Sequence, residues 1–390
     1  MKSRSLWVDN LRTFIIVMVV AHHAALAYTT YAKFNPAAYI FSIPHPMVDV
    51  QRWAGMDYFV YFNDIFFMAL MFFISGLFIT DSLQKKGSRI FVRERFNRLF
   101  VPFLFGVTVL MLIAHYPCYL LAHGDRNILN YMADFFTTEY WPVGPPWFLW
   151  VLFLFNIIIA RNYDRIKPLL DKLSLILQKY KNKTFRIFIL WFLVTWVLYV
   201  PMRWVFGPSA WFGIGPFDFQ ECRPLLYFGY FIAGAAFGNL PAEEGLFSDS
   251  FSFLKKWRLW LVACILSFIL LLVMDGPLKH LISAGRLNEA GYQVIYCSVY
   301  VLSCTTSCLA FLSCFKAFAN KAGIVRDAMK PDAFFIYLVH YVFIIWIQYL
   351  LLDKQIPAIL KFSIVTIAAF SFSWAFSRLV RMSPVLRRYL

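Results

Sequence analysis

The sequence predicts an all-α polytopic membrane protein: a bundle of about ten spanning helices, forming one domain over residues 1–390, with both termini cytoplasmic. Three observations carry this prediction. Hydrophobic residues make up 61% of the 390-residue chain and charged residues only 15%, too few to cover a soluble domain of this size. Separate apolar runs such as LWLVACILSFILLLVM (259–274) and FIYLVHYVFIIWIQYLLL (335–352) reach or approach the length that crosses a hydrocarbon core of about 30 Å as a helix. No polar stretch between the runs is long enough to fold alone.

The expected spans are 12–31, 58–80, 99–122, 147–161, 185–204, 223–239, 257–274, 292–315, 333–352 and 357–378. Their sidedness follows from the loops. One alternating set of loops holds 28 of the 37 Lys and Arg residues and the other set holds 9. The positive-inside rule then places both termini in the cytoplasm, and an even span number agrees. The formal charge of +16 is therefore a signal of topology and of contact with anionic lipid headgroups, and not the footprint of a nucleic-acid partner.

Taken in order, the first span begins at Arg12 and carries His22 and His23 inside its apolar run. Both features argue for a retained span and against a cleaved leader. The loops 32–57 and 123–146 are long for connectors, and 205–222 is rich in Gly, Pro and aromatic residues and is expected to form ordered turns; together the three are expected to cap a cavity on the non-cytoplasmic face. The loop 161–186 spaces apolar residues helically among basic ones, which suits either an amphipathic helix on the inner leaflet or a solvated basic connector. The seven cysteines make no metal-binding pattern. Cys118 and Cys222 both fall on the outer side, where pairing is open to them.

Three positions draw attention as chemistry. Eleven helical steps separate Arg12 from His23, leaving them within about 20° of one face and roughly 16 Å apart along the axis. His22 points about 80° away from that line and reads as a packing neighbour. Asp64, in the second span, lies about 10 Å below its outer end and His23 about 12 Å below the outer end of the first. The matched depth suits a carboxylate that orients an imidazole general base. Arg95 and Arg98 are neighbours on one helical face just before the third span, where paired guanidinium groups can clamp the phosphates of a nucleotide-like ligand or simply anchor the chain at the headgroups. His340 sits inside the ninth span without an identified partner.

These residues resemble a family. Arg-x10-His on the first span, FFISGLF ending the second, RFNR followed by LFVPF, WFLW opening a mid-chain span and YLVHY near the end occur in the order found in the acyltransferase 3 family of membrane O-acyltransferases. GPPWFLWVLFLFN and YFGYFIAGAAFG are most similar to stand-alone members of the glucan succinyltransferase type. The chain has WFLW where other branches have WFLSVEEQF, so no carboxylate is carried over from that position. The resemblance implies a plasma-membrane enzyme that moves an acetyl- or succinyl-type group from cytoplasmic acyl-CoA, a co-substrate and not a resident cofactor, to a hydroxyl of a carbohydrate or glycolipid. It implies His23 as general base or acyl-handling residue and Arg12, Arg95 and Arg98 as donor-binding residues, with no metal. The rival expectation is a proton-coupled transporter, which also needs intramembrane Arg, His and Asp.

Overall fold

The computed structural model describes residues 6–40, 45–241, 243–321 and 323–383. In chain order its helices are α1 (Leu6–Ala25), α2 (Ala54–Gly76), α3 (Ile79–Arg95), α4 (Val101–Phe105), α5 (Met111–His123), α6 (Ile128–Thr137), α7 (Trp147–Arg161) and α8 (Tyr163–Lys179). They continue as α9 (Thr184–Phe206), α10 (Pro224–Asn239), α11 (Ser252–Lys255), α12 (Trp257–Ser283), α13 (Glu289–Phe318), α14 (Ile324–Met329), α15 (Ala333–Leu351) and α16 (Ala358–Arg381). Among the described residues, eight helical stretches are long and apolar enough to cross a membrane, as the polytopic all-α class requires. The other two expected spans fall on α7 and α10, of 15 and 16 residues, shorter than the roughly 20 residues that cross a bilayer upright.

Two segments differ from the sequence reading. Residues 81–98, expected as a loop, are mostly helical: α3, α4 and α5 join into one stretch, Ile79–His123, through π-turns at Phe96–Phe100 and Gly106–Leu110. Hydropathy misses α3 because most of its side chains are polar, yet Leu83 and Phe91 are buried and supply an apolar seam. Gly87 breaks the helix with φ 71°. The loop 205–222 holds an antiparallel hairpin, β1 (Trp211–Ile214) with β2 (Phe217–Gln220), in the register Trp211 to Gln220 and Ile214 to Phe217. Its turn passes through Gly215 at φ 56°, a conformation that favours glycine.

Burial distinguishes core helices from peripheral ones. The most apolar windows of α1 and α2 are 67% buried, against 28% for α9 and α12 and 22% for α16. The helix that carries the histidine pair thus runs through the centre, while the last helix presents most of its surface outward. Most of 161–186 is helical: α8 packs on α10, where Ser174 Oγ donates to the carbonyl of Ala236 and Asn239 Nδ2 donates to Asp171. Cys118 and Cys222 are buried free thiols, and Cys118 Sγ donates to the carbonyl of Pro46 at 3.4 Å.

Close crossing of α2 and α10 needs residues without side chains. A Cβ on Gly234 would collide with the carbonyl oxygen of Phe73, and one on Gly76 with that of Phe231. Small residues at such spacing let helix backbones approach where lipid offers no hydrophobic drive. Gly234→Ala is expected to force these helices apart at a cost of about 1–3 kcal/mol, read as a lowered thermal midpoint of the purified protein. Gly276→Ala, where nothing lies within 4 Å of an added Cβ, is expected to be neutral or slightly stabilising.

Buried ion pairs pin α16 at both ends. Asp332, fully buried at the start of α15, accepts from Trp374, Ser377 and Arg381 at 2.9–3.1 Å and pairs with Arg378 at 2.7 Å. At the opposite end Lys361 meets Asp49 at 2.6 Å, both essentially without solvent exposure.

Candidate active site

Helix α1 ends in a short 3-10 turn, Leu26–Tyr28, so His22 and His23 occupy its last α-helical turn. They form part of the wall of a cavity of about 610 Å3 at the end of the molecule away from the N-terminus. Helix α2 contributes Tyr61 and Asp64, the stretch before α7 contributes Trp141, the start of α7 contributes Trp147, and the hairpin contributes Trp211 and Asp218. Arg223 lies on the same wall, just before α10.

The hydrogen bonds of His23 fix which of its nitrogens keeps a free lone pair. His340 Nδ1 lies 2.5 Å from the carbonyl oxygen of Tyr337. A carbonyl can only accept, so this nitrogen carries the hydrogen and, in the neutral ring, His340 Nε2 is an acceptor. That Nε2 lies 3.1 Å from His23 Nδ1, which is also 2.9 Å from the carbonyl of Val19. Both neighbours accept, so His23 Nδ1 carries hydrogen and Nε2 is left with its lone pair. The chain of two imidazoles anchored on a backbone carbonyl is the kind of orienting contact a general base needs.

The expected pairing of Asp64 with His23 is not what the fold builds. Asp64 is held in a forked ion pair with Arg223: Nη1 donates to Oδ1 at 2.8 Å, Nη2 donates to Oδ2, and Nη1 also donates to the Asp64 backbone carbonyl at 3.2 Å. Arg223 is 9% exposed and donates further to Tyr227 at 3.3 Å. Matching two residues by depth leaves their azimuth undetermined, and Asp64 faces α10 and the neighbouring His22 instead. The carboxylate and the guanidinium both lie within electrostatic reach of His22. His22, read from sequence as a packing neighbour, is therefore part of the cavity wall, with its ring centroid 5.3 Å from that of His23 and 5.1 Å from that of Phe67.

Arg12, Arg95 and Arg98 assemble at the other end of the molecule. Arg95 stacks on Phe91 with its Cζ 4.9 Å from the ring centroid and feels the charges of both Arg98 and Arg12. Arg12 sits 3.9 Å from Asp9 and packs its guanidinium over Phe78. The fold thus gathers the three arginines that sequence reasoning singled out around Arg12, about 16 Å along α1 from His23, and none of them lines the cavity. Arg98 lies on the π-turn, a helical irregularity frequent at functional sites.

Sequence reasoning missed Arg223, Asp218 and the partner of His340. Arg223 is the first residue of its expected span, a full turn or more shallower than Asp64 by the same depth count, so nothing in the sequence matched them. Asp218 sits in a hairpin that hydropathy does not register.

A scan of protein families decides the class. The family model described as an acyltransferase domain, acyltransferase 3, matches residues 5–378. The chain belongs to the acyltransferase 3 family. The match contains both histidines, the ion pair and all three arginines. Comparisons with curated proteins and with solved structures return no match. The acyltransferase is a multi-pass membrane enzyme, acting with an acyl donor, an acceptor and membrane lipid.

The hairpin of the acyltransferase closes the cavity on one side. Trp150 Nε1 of α7 donates to the carbonyl of Asp218 at 3.0 Å, and Trp141 N donates to Gly215 O at 3.4 Å. The carboxylate oxygen Oδ1 of Asp218 is buried without a partner, and burial pushes this carboxyl up to about 6 from 3.8. A carboxyl raised on folding holds its proton longer in the folded state. Its contribution to stability therefore falls as pH rises from about 4 to 6, and the full cost stands above that window. Asp218→Asn cannot ionise. It is expected to stabilise the enzyme by about 1 kcal/mol at pH 7.5, a figure discounted because the side chain is only half-buried, and to change nothing near pH 4. Thermal melts at the two pH values check this.

Proposed function

We propose that this acyltransferase moves an acetyl- or succinyl-type group from cytoplasmic acyl-CoA to a hydroxyl of a glycan or lipid-linked glycan at the plasma membrane. The observation that carries the reading is His23, whose Nδ1 hydrogen is engaged by Val19 and His340 and whose basic nitrogen is left for a cavity of about 610 Å3. That volume is within the ordinary range for a small-molecule site. Its rim of Trp141, Trp147 and Trp211 beside Asp218 and Gln220 offers flat aromatic faces and hydrogen-bonding groups, a combination suited to a sugar.

In this reading the phosphates of the donor rest on Arg12, Arg95 and Arg98, on the cytoplasmic side given by the basic loops. The gap of about 16 Å along α1 is bridged by the extended arm of the donor, which carries the thioester toward His23. His23 Nε2 takes the proton of the acceptor hydroxyl as its oxygen attacks the thioester carbonyl. The Asp64–Arg223 pair holds the acceptor side of the cavity in shape with its two charges mutually balanced. An acyl-histidine intermediate is the alternative route through the same residue.

The test is release of CoA thiol by purified protein in lipid nanodiscs, with acetyl-CoA or succinyl-CoA as donor. Arg95→Gln with Arg98→Gln is expected to raise the donor KM about tenfold while leaving kcat nearly unchanged, as loss of charge-assisted contacts made equally in ground and transition states would do. Absence of CoA release from either donor overturns the reading.

A further inference from the structure

We propose that His22 donates the hydrogen bond that stabilises the oxyanion formed during acyl transfer, a role that rests on the acyltransfer reading above. The ring of His22 lines the cavity directly beside His23, with the two planes crossing at 88°. Its Nδ1 is buried with no hydrogen-bond partner, while Nε2 keeps its access to the cavity. A neutral imidazole carries one hydrogen, and a sealed N–H without an acceptor is costlier than a sealed lone pair. The hydrogen therefore sits on Nε2. His22 presents an N–H where His23 presents a lone pair, so adjacent residues on one helical turn offer a donor and a base side by side.

The surroundings keep that donor available. Asp64 is the carboxylate nearest in effect to His22, but it is turned into its forked contact with Arg223, and it forms no hydrogen bond with the His22 ring. Phe67 packs against the ring at 5.1 Å and holds its orientation without competing for a hydrogen bond. Two hydrogen bonds of about 2.8 Å converging on one tetrahedral centre suit rings whose centroids are 5.3 Å apart. One bond reaches the attacking oxygen and the other the former carbonyl oxygen. Such a donor, fixed in a dry site before the reaction, is worth most where charge develops.

The step balances as follows. The acceptor oxygen forms a bond to the thioester carbonyl carbon, the C=O π pair moves to oxygen, and the acceptor proton passes to His23 Nε2. His22 Nε2–H donates to the resulting oxyanion. The C=O bond then re-forms, the C–S bond breaks, and the thiolate leaves with the proton held by His23, giving ester and CoA thiol.

The experiment compares His22→Phe, which keeps a flat ring and loses the N–H, with His22→Gln, which keeps an N–H. Acetyl-CoA or succinyl-CoA serves as donor and methyl β-glucoside as acceptor probe, with CoA thiol release and ester formation measured in nanodiscs. His22→Phe is expected to lower kcat by about 10²- to 10³-fold with the donor KM changed less than about twofold, and His22→Gln to recover at least about tenfold of the loss. A kcat for His22→Phe within threefold of the parent overturns the assignment. So does a His22→Gln enzyme no faster than His22→Phe at equal thermal midpoint. If His22→Phe does not fold, His22→Met takes its place under the same thresholds. A parent enzyme that turns over with dependence on His23 but not on His22 overturns this inference alone. A parent that releases no CoA overturns the acyltransfer reading and this inference together.

Discussion

Replacing His23 with alanine is expected to reduce kcat for CoA release by about 10³-fold, in the middle of the range for loss of a general base, while the donor KM stays close to that of the parent. The separation follows from the layout. Of the arginines proposed to hold the donor, Arg12 lies about 16 Å away along α1 and the other two cluster with it, so the variant is expected still to bind acyl-CoA. The same argument extends to His340, which meets His23 through the 3.1 Å nitrogen contact. His340→Ala is expected to cost about 10- to 100-fold in kcat, and His340→Gln to restore part of it, because an amide oxygen can accept the hydrogen of His23 Nδ1. Full activity in His23→Ala would remove the base from the mechanism altogether.

The largest expected loss of stability comes from Asp64→Asn. Arg223, 9% exposed, would keep its charge and lose the carboxylate that balances it. Removing one partner of a buried pair commonly costs about 3–5 kcal/mol. Here about 2–4 kcal/mol is expected, because the Asp64 side chain is 38% exposed to the cavity and water can enter to solvate what remains. The double replacement Asp64→Leu with Arg223→Met is expected to recover most of that loss, since it leaves no orphaned charge. Unfolding of the purified protein measures both variants. A single variant as stable as the parent would mean that the pair carries no structural weight.

Sequence made the membrane class, the helix positions and the arginine cluster legible because each depends on a one-dimensional signal. Apolar length marks a span, and the three-residue spacing of Arg95 and Arg98 marks a shared face. What it did not reveal was which helices face one another. Depth alone suggested Asp64 for His23, whereas the packing of α2 against α10 turns Asp64 toward Arg223, and the packing of α1 against α15 brings His340 to His23. Residues His23 and His340 are 317 positions apart, and no local pattern records such a meeting. The hairpin went unread for a different reason: its strands are four residues each, and their Gly, Pro and aromatic content reads as turn. His22 was set aside because an azimuth measured against Arg12 says nothing about the neighbour on the other side.

The same long-range contacts constrain how the enzyme comes into being during synthesis. Both imidazoles of α1 are made among the first residues, yet the orienting partner of His23 arrives only with α15, and the lysine that meets Asp49 only with α16, 312 positions later. Gln348 likewise donates to the carbonyl of Ala24 across 324 positions. A nascent chain halted between Arg98 and α15 would hold the three arginines and both α1 histidines but not the contact that orients His23. In the proposed mechanism, full activity would thus appear only when the final helices dock, since α15 also supplies Tyr337 and Tyr341 to the cavity wall.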